Sequence, residues 1–159
     1  MTWFESSRTS TAVVTASRDE VWAVLSDPDA VAELTPLVRD IEADGDHWRW
    51  SIDEVPGVGV SLAPSFTVRM TWEERTRIAF EHDPPEGRHE RAGVEGEYRL
   101  ADHDAGCRLD VELTVRVELP LPRLSAVAVE RTIDGVLASM GRGFSKALLR
   151  RLDAEQVEE

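Results

Sequence analysis

The sequence predicts an α+β fold in which a curved antiparallel sheet wraps a long C-terminal helix. Three observations carry that expectation. From Cys107 to Leu119 the chain alternates strictly: Cys107, Leu109, Val111, Leu113, Val115, Val117 and Leu119 are apolar, while Arg108, Asp110, Glu112, Thr114, Arg116 and Glu118 are polar. A period of two held this long describes a strand with one dry and one wet face, about 43 Å in reach. The run stops at Pro120-Leu121-Pro122, where two rings lack the N–H groups that sheet pairing needs. From about Ser125 to Leu152 the period becomes helical, with Ile133, Leu137, Met140, Phe144 and Leu148 on one stripe at spacings of four and three. That helix spans about 40 Å. A strand and a helix of matched length, joined at a Pro corner, bury both apolar faces most simply when the helix lies across the sheet.

The rest of the chain supplies the other strands. Residues 1–7 have no clear period. Arg8–Ala16, rich in Thr, Val and Ala, reads as a first strand whose inward face is either Ala12, Val14 and Ala16 or Thr11, Val13 and Thr15. Ser17 and Glu20 form a Ser-x-x-Glu capping box that opens a short helix through Val21, Trp22, Val24 and Leu25. Asp27-Pro28 opens a second one, with a cap residue followed by a Pro in the first helical position, and Pro36 stops it. Val38–Ala43 is the next strand, and Asp44-Gly45 suits a tight hairpin. The return strand sets Trp48, Trp50 and Ile52 against His47, Arg49 and Ser51. Phe66, Val68, Met70 and Trp72 form another inward set, followed by Ile78, Phe80 and His82. After the break at Asp83-Pro84-Pro85-Glu86-Gly87 come Val94, Gly96, Tyr98 and Leu100, and Asp104-Ala105-Gly106 turns into the long strand. The order is strand, two short helices, about six strands joined by short turns, and one helix. Short turns imply antiparallel neighbours. A curved sheet around a helix leaves a hollow, the natural place for a small molecule.

At 159 residues the chain reads as one domain, residues 1–159 with a core at about 8–152. Its net charge of −13 argues against nucleic acid and anionic lipid headgroups as partners, since both would be repelled. One cysteine, Cys107, excludes an internal disulfide and a multi-Cys metal site, and its place on a dry strand face reads as a buried, inert thiol. The opening Met1-Thr2-Trp3-Phe4-Glu5 has neither the basic flank nor the apolar run of a signal peptide, and no stretch is long enough to insert into a membrane. A cytoplasmic location is expected. Basic residues are almost all Arg and Asn is absent, a bias associated with GC-rich bacterial genomes. Nothing in the sequence marks an oligomeric state.

The stretch Ala16-Ser17-Arg18-Asp19-Glu20-Val21-Trp22-Ala23-Val24-Leu25-Ser26-Asp27-Pro28, the element order and the terminal helix resemble the START-like superfamily. This superfamily is also called the birch-pollen-allergen or polyketide cyclase/dehydrase and lipid-transport superfamily (SRPBCC). The likeness covers roughly Arg8 to Leu152. It implies a helix-grip fold with a seven-stranded antiparallel sheet, a deep apolar cavity, and a lipid, sterol, polyketide or similar guest. Some members are aromatase/cyclases and many bacterial members only bind. The superfamily has no universal catalytic motif to carry over.

Candidate cavity-lining residues follow from the inward strand phases and the helix stripe: Trp50, Phe66, Met70, Trp72, Phe80, His82, Tyr98, Met140, Gly141 and Phe144. Each large side chain among them also reads as plain core. His82 also reads as a solvent-facing residue beside the Asp83-Pro84-Pro85 turn. Gly141 and Gly143 flank the helix stripe and either leave room for a guest or a close strand or simply mark a locally weak helix, while Gly135 points outward. The 54–64 segment reads either as a mobile apolar flap or as an edge strand interrupted by Pro. Gly59-Val60-Ser61-Leu62-Ala63 is no nucleophile elbow, because Pro64 and a strand pattern follow it instead of a helix. Gly57-Val58-Gly59 lacks the third glycine of a dinucleotide fingerprint. His47, His82, His89 and His103 sit in separate hairpins without ligand spacing, so no metal and no cofactor is expected. The leading expectation is carriage of a small hydrophobic molecule. The alternatives are a cyclase/dehydrase-type enzyme using Tyr98 or His82 as acid/base, and an interaction or stress module whose cavity has collapsed.

Overall fold

The computed structural model describes residues 1–55, 57 and 62–158. The first strand, β1 (Thr2–Val14), begins six residues before the expected start at Arg8. Its partner explains the difference. Thr2 through Val14 pair one by one with Leu119 through Cys107 of the long strand β7 (Gly106–Leu119). Ladder bonds from that neighbour hold residues 2–7 extended although their own side chains have no period. Ala12 and Val14 face the interior hollow, and Val13 is buried as well.

Both helix starts form as the sequence predicts. Helix α1 (Arg18–Leu25) opens on the capping box: the Ser17 hydroxyl accepts from the Glu20 N–H and the Glu20 carboxylate accepts from the Ser17 N–H, each at 3.1 Å. Helix α2 (Pro28–Leu34) is capped by the Asp27 carboxylate, which accepts from the N–H groups of Asp29 at 3.0 Å and Ala30 at 3.4 Å. These caps satisfy N–H groups that have no intrahelical partner. The pair of helices then buries Val21, Leu25 and Val31 in the core under the sheet, and Val24 and Ala30 against Leu148 of the long C-terminal helix.

The remaining strands are β2 (Val38–Asp44), β3 (His47–Ile52), β4 (Ser65–Glu73), β5 (Arg77–His82) and β6 (Ala92–His103). Gly45, in the β2–β3 turn, takes φ +61°, a conformation that favours glycine. Among the described residues the strands form a single sheet of order β2-β3-β4-β5-β6-β7-β1-β8, with every neighbouring pair antiparallel. The eighth strand exceeds the expected seven and is only two residues long: β8 (Gln156–Val157) adds to the far edge of β1.

The long helix α3 (Ala126–Arg151) follows a tight 3-10 turn at Arg123–Ser125. It ends where Asp153 takes φ +49° and the Ala154 N–H reaches back 2.9 Å to the Leu149 carbonyl, satisfying a last-turn acceptor. The chain thereby reverses into β8, held by the Thr15 N–H on the Glu155 carbonyl and the Glu155 N–H on the Thr15 hydroxyl, both at 2.9 Å. Along its length α3 is tied to β1 by Arg8–Asp134 at 2.9 Å and by the Glu5 N–H on the Glu130 carboxylate at 2.8 Å. Exposed pairs of this kind stabilise little. The packing of buried Val129, Ile133 and Leu148 contributes more, roughly 1.5 to 3 kcal/mol for each side chain fully removed from water. Among the described residues no helix is long and apolar enough to cross a membrane.

Candidate functional site

Between the inner face of the sheet and α3 lies a cavity of about 290 Å³. It exists because sheet and helix diverge while α1 and α2 close one end. At that end Trp72 packs edge-on to Trp22 of α1, with centroids 6.1 Å apart, and lies 5.6 Å from Trp48. The dry face of β7 supplies much of the wall through Leu109, Val111, Leu113, Val115 and Val117. Ser10 of β1, Gly141 and Ser145 of α3, and Gln156 of β8 line the cavity and are also exposed, so the opening lies between β1 and the helix. An interior with this volume differs from the collapsed alternative, in which the five Trp would fill the wall positions.

Eight of the ten residues selected from sequence border this space: Trp50, Phe66, Met70, Phe80, Tyr98, Met140, Gly141 and Phe144. Trp50 stacks on Phe66 with centroids 5.8 Å apart and planes inclined by 16°, and Phe80 tilts against Tyr98 at 5.4 Å. Trp72 and His82 do not border it. Trp72 has the right strand phase but stands beyond the hollow, inside the tryptophan cluster. His82 has the phase of Phe80 but sits at the strand end, where Glu90 captures its ring.

The two helix glycines divide the roles proposed for them. A side chain at Gly141 would meet nothing within 4 Å, so this glycine faces open space on the cavity rim. A Cβ at Gly143 would collide with the ring of Pro36, so this one permits close approach of the chain between α2 and β2. Gly135 is exposed with nothing near it. Of the 54–64 segment, Val55 and Leu62 line the cavity, and the Val55 N–H donates to the Leu62 carbonyl at 2.7 Å. The flap reading otherwise lies outside the described residues, as do the Gly57-Val58-Gly59 and Gly59–Ala63 patterns.

Polar groups are sparse on this wall. Among the described residues no lining side chain carries a charge. Thr35 is satisfied internally, its hydroxyl donating to the Val31 carbonyl at 2.6 Å. Two inner residues are not satisfied. The Trp50 indole N–H is buried without a hydrogen-bond partner among the described residues. Tyr98, half-buried on the wall, makes no hydrogen bond to a described residue through its hydroxyl, and burial pushes its pKa up to about 12. Tyr98 is therefore a neutral phenol across the physiological range.

The ionisable groups gather instead beside the segment between β5 and β6. Glu90 is almost wholly buried, its side chain 1% exposed. Its carboxylate accepts from the Thr67 N–H and the Thr67 hydroxyl, each at 2.8 Å, and contacts His82 Nε2 at 2.9 Å, with Arg88 at 3.6 Å. The Asp83 N–H bonds the Thr67 carbonyl, but the chain then leaves the ladder at Pro84, and the Glu90 side chain takes over as acceptor for the Thr67 N–H. Sequence reading missed Glu90, because a carboxylate in a loop looks solvated until the loop folds back. His47 bonds Asp83 at 2.8 Å, and that hydrogen bond holds the Asp83 carboxyl below its usual range. His89 bonds Glu118 at 2.8 Å, and His103 accepts from the Ala105 N–H at 3.1 Å. Among the described residues no group of three or more His, Cys, Asp or Glu is placed to hold a metal ion. Cys107 is fully buried, and burial pushes its thiol pKa up, away from the reactive thiolate.

A family model described as polyketide cyclase / dehydrase and lipid transport matches residues 6–156. Solved structures share the fold at low identity. The Zhui aromatase/cyclase from Streptomyces sp. R1128 is 19% identical with a TM-score of 0.63, covering 96% of this chain and 94% of that one. A START superfamily protein from Mycobacterium smegmatis is 19% identical with a TM-score of 0.63, covering 94% and 97%. The di-domain ARO/CYC StfQ of the steffimycin biosynthetic pathway is 14% identical with a TM-score of 0.65, and the match spans 94% of this chain but 51% of that protein. No curated protein matches the sequence.

Proposed function

We infer the function from one premise: this chain belongs to the polyketide cyclase / dehydrase and lipid transport family. The reading we propose within it is reversible binding and carriage of a small hydrophobic molecule in the cavity between the sheet and α3. The observation that carries this reading is the character of the wall. About 290 Å³ of interior is enclosed by aromatic and aliphatic side chains, with no charged lining residue among those described. This volume lies near the lower end of the range for small-molecule sites. Burial of guest surface, worth roughly 25 cal/mol per Å², supplies the driving force. Trp50, Phe66, Met70, Phe80, Tyr98, Met140, Gly141 and Phe144 are the proposed contacts.

Cyclase chemistry is the second reading, supported by the family and by the aromatase/cyclase with the same fold. General acid/base work favours a group whose pKa lies near the working pH. Tyr98, pushed up to about 12, is far from that, and His82 is engaged with Glu90 away from the wall. Carriage therefore accounts for more of the geometry than catalysis does.

The test is binding by intrinsic fluorescence. Trp48 and Trp50 line the cavity, so a bound guest alters their emission. Titration with a panel of neutral lipids and fused-ring compounds is expected to give saturable changes for some members. Gly141→Leu, which projects a side chain into the rim, is expected to weaken them at least tenfold with the fold intact. An absence of saturable binding across the panel, or undiminished binding by the variant, would overturn the proposal.

A further inference from the structure

Cations are treated differently on the two sides of this molecule. On the outer face of the sheet arginines are matched to carboxylates, as in Arg69–Glu81, Arg77–Glu97 and Arg116–Glu95. The outward side of α3 follows another pattern. Arg131, Arg142 and Lys146 are exposed and fall within an arc of roughly 60° around the helix axis. None of the three has a carboxylate partner among the described residues. The two acids of α3 are used elsewhere: Glu130 accepts from the Glu5 N–H and Asp134 pairs with Arg8, both toward β1. Asp153 and Glu155 come only after the helix has ended and the chain has turned back to β1. The start of the helix adds two protruding apolar side chains on the same side, Leu124 at 99% exposure and Val127 at 70%.

A row of unpaired cations beside two protruding apolar side chains fits a partner with anions at its surface and an apolar layer beneath them. A bilayer with acidic headgroups has both. Its phosphates take the guanidinium and ammonium groups, and its acyl layer takes Leu124 and Val127. The spacing favours a bilayer over an acidic protein. From Arg131 to Lys146 the cations extend about 22 Å along the axis. Lipid headgroups diffuse to meet any such spacing, whereas a folded partner must carry a matching row. The net charge of −13 is an average over the whole surface. Salt screens charges beyond about 8 Å at physiological ionic strength. The carboxylates on the outer face of the sheet lie across the molecule from α3, with the cavity between, so the nearest face decides the contact. The location also serves the cavity. Gly141 and Ser145, exposed on its rim, stand on α3 next to Arg142 and Lys146.

We propose that the outward face of α3, through Arg131, Arg142 and Lys146 with Leu124 and Val127, docks on an anionic lipid bilayer and sets the mouth of the cavity against it, a role that rests on the carriage reading above. Co-sedimentation of the full chain with vesicles tests this, comparing phosphatidylcholine alone with phosphatidylcholine mixed with phosphatidylglycerol. The mixed vesicles are expected to bind at least about tenfold tighter, and the binding to weaken as salt rises. Arg131→Gln, Arg142→Gln and Lys146→Gln are each expected to weaken it about fivefold. Leu124→Ser combined with Val127→Ser is expected to weaken it about tenfold and to leave the salt dependence unchanged. All five positions are exposed and outside the cavity wall, so an unchanged melting temperature and an unchanged guest titration by fluorescence check that fold and cavity persist. Equal binding to both vesicles, binding to neither, or undiminished binding by the variant lacking all three cations would overturn the docking. Retention on immobilised polyglutamate without vesicle binding would assign the face to an acidic protein and overturn it as well. The guest titration separates this failure from that of carriage. Saturable guest binding leaves carriage standing when docking fails, and vesicle binding without any guest binding removes carriage and the delivery role with it.

Discussion

Two regions of this molecule treat buried polarity in opposite ways. Beside the β5–β6 segment, Glu90 is buried with partners on both carboxylate oxygens: the Thr67 N–H, the Thr67 hydroxyl, His82 and Arg88. On the cavity wall, the buried Trp50 indole nitrogen and the half-buried Tyr98 hydroxyl have none among the described residues. Both lie on the same sheet, Thr67 and His82 on β4 and β5 and Trp50 and Tyr98 on the flanking β3 and β6. A polar group the fold satisfies belongs to the architecture, since removing it strands its partners. A polar group the fold leaves open weakens the empty protein and pays off only when something else arrives. This contrast separates the structural histidine His82 from the candidate recognition residue Tyr98, although the strand pattern gives both the same inward phase.

The contrast can be broken most sharply at Glu90. Glu90→Ala strands a buried backbone N–H, a hydroxyl and an imidazole, and is expected to lower unfolding free energy by about 3 kcal/mol. Guest affinity of the molecules that remain folded should not change. Urea denaturation measures the first and calorimetry the second. A loss below about 1 kcal/mol would mean that the three donors find other acceptors, and the cluster would lose its structural role.

The same opposition of filled and empty surroundings recurs on α3, with a smaller effect. Gly143→Ala forces a methyl group against Pro36 and is expected to cost about 1 to 2 kcal/mol net. Gly141→Ala enters open space and is expected to stabilise by up to about 1 kcal/mol through helix propensity. Melting temperatures should therefore move in opposite directions. Equal shifts would show that propensity alone governs both positions.

The smallest effect concerns the exposed neighbour of the Glu90 cluster. The hydrogen bond from His47 is the main cause of the lowered Asp83 pKa. A carboxyl whose folded pKa is depressed contributes stability above its unfolded pKa, and loses that contribution as pH falls through the folded value. In a carboxyl NMR titration, Asp83 should titrate below the ordinary aspartate range, and His47→Ala should move its midpoint upward. An unchanged midpoint would show that the bond does not persist in solution. Because Asp83 is exposed, the accompanying change in acid stability should be slight.

Much of the fold was legible in the sequence, for local reasons. The alternation through Cys107–Leu119 and the stripe from Ile133 to Leu148 depend only on strand and helix periods, and they appear as β7 and α3. The Ser17–Glu20 box and the Asp27 cap are short-range hydrogen-bond patterns, and both form. Inward phase likewise brought eight of the ten selected residues to the cavity border. It failed for Trp72 and His82 because phase says which face a side chain takes and not where along that face the hollow ends.

By itself, then, the sequence determined the element order, the caps, the dry faces and the anionic exterior, since each follows from neighbours a few residues apart or from composition. Tertiary structure alone decided three things. The β1–β7 register drew residues 2–7 into the sheet, and the folding back of Glu90 onto Thr67 turned a loop carboxylate into a buried one. The divergence of sheet and helix left Tyr98 on the wall of a hollow instead of against a hydrogen-bond partner. The physical reason is common to all three. Which groups find partners across the fold depends on distances between segments far apart in the chain, and no local period encodes those distances.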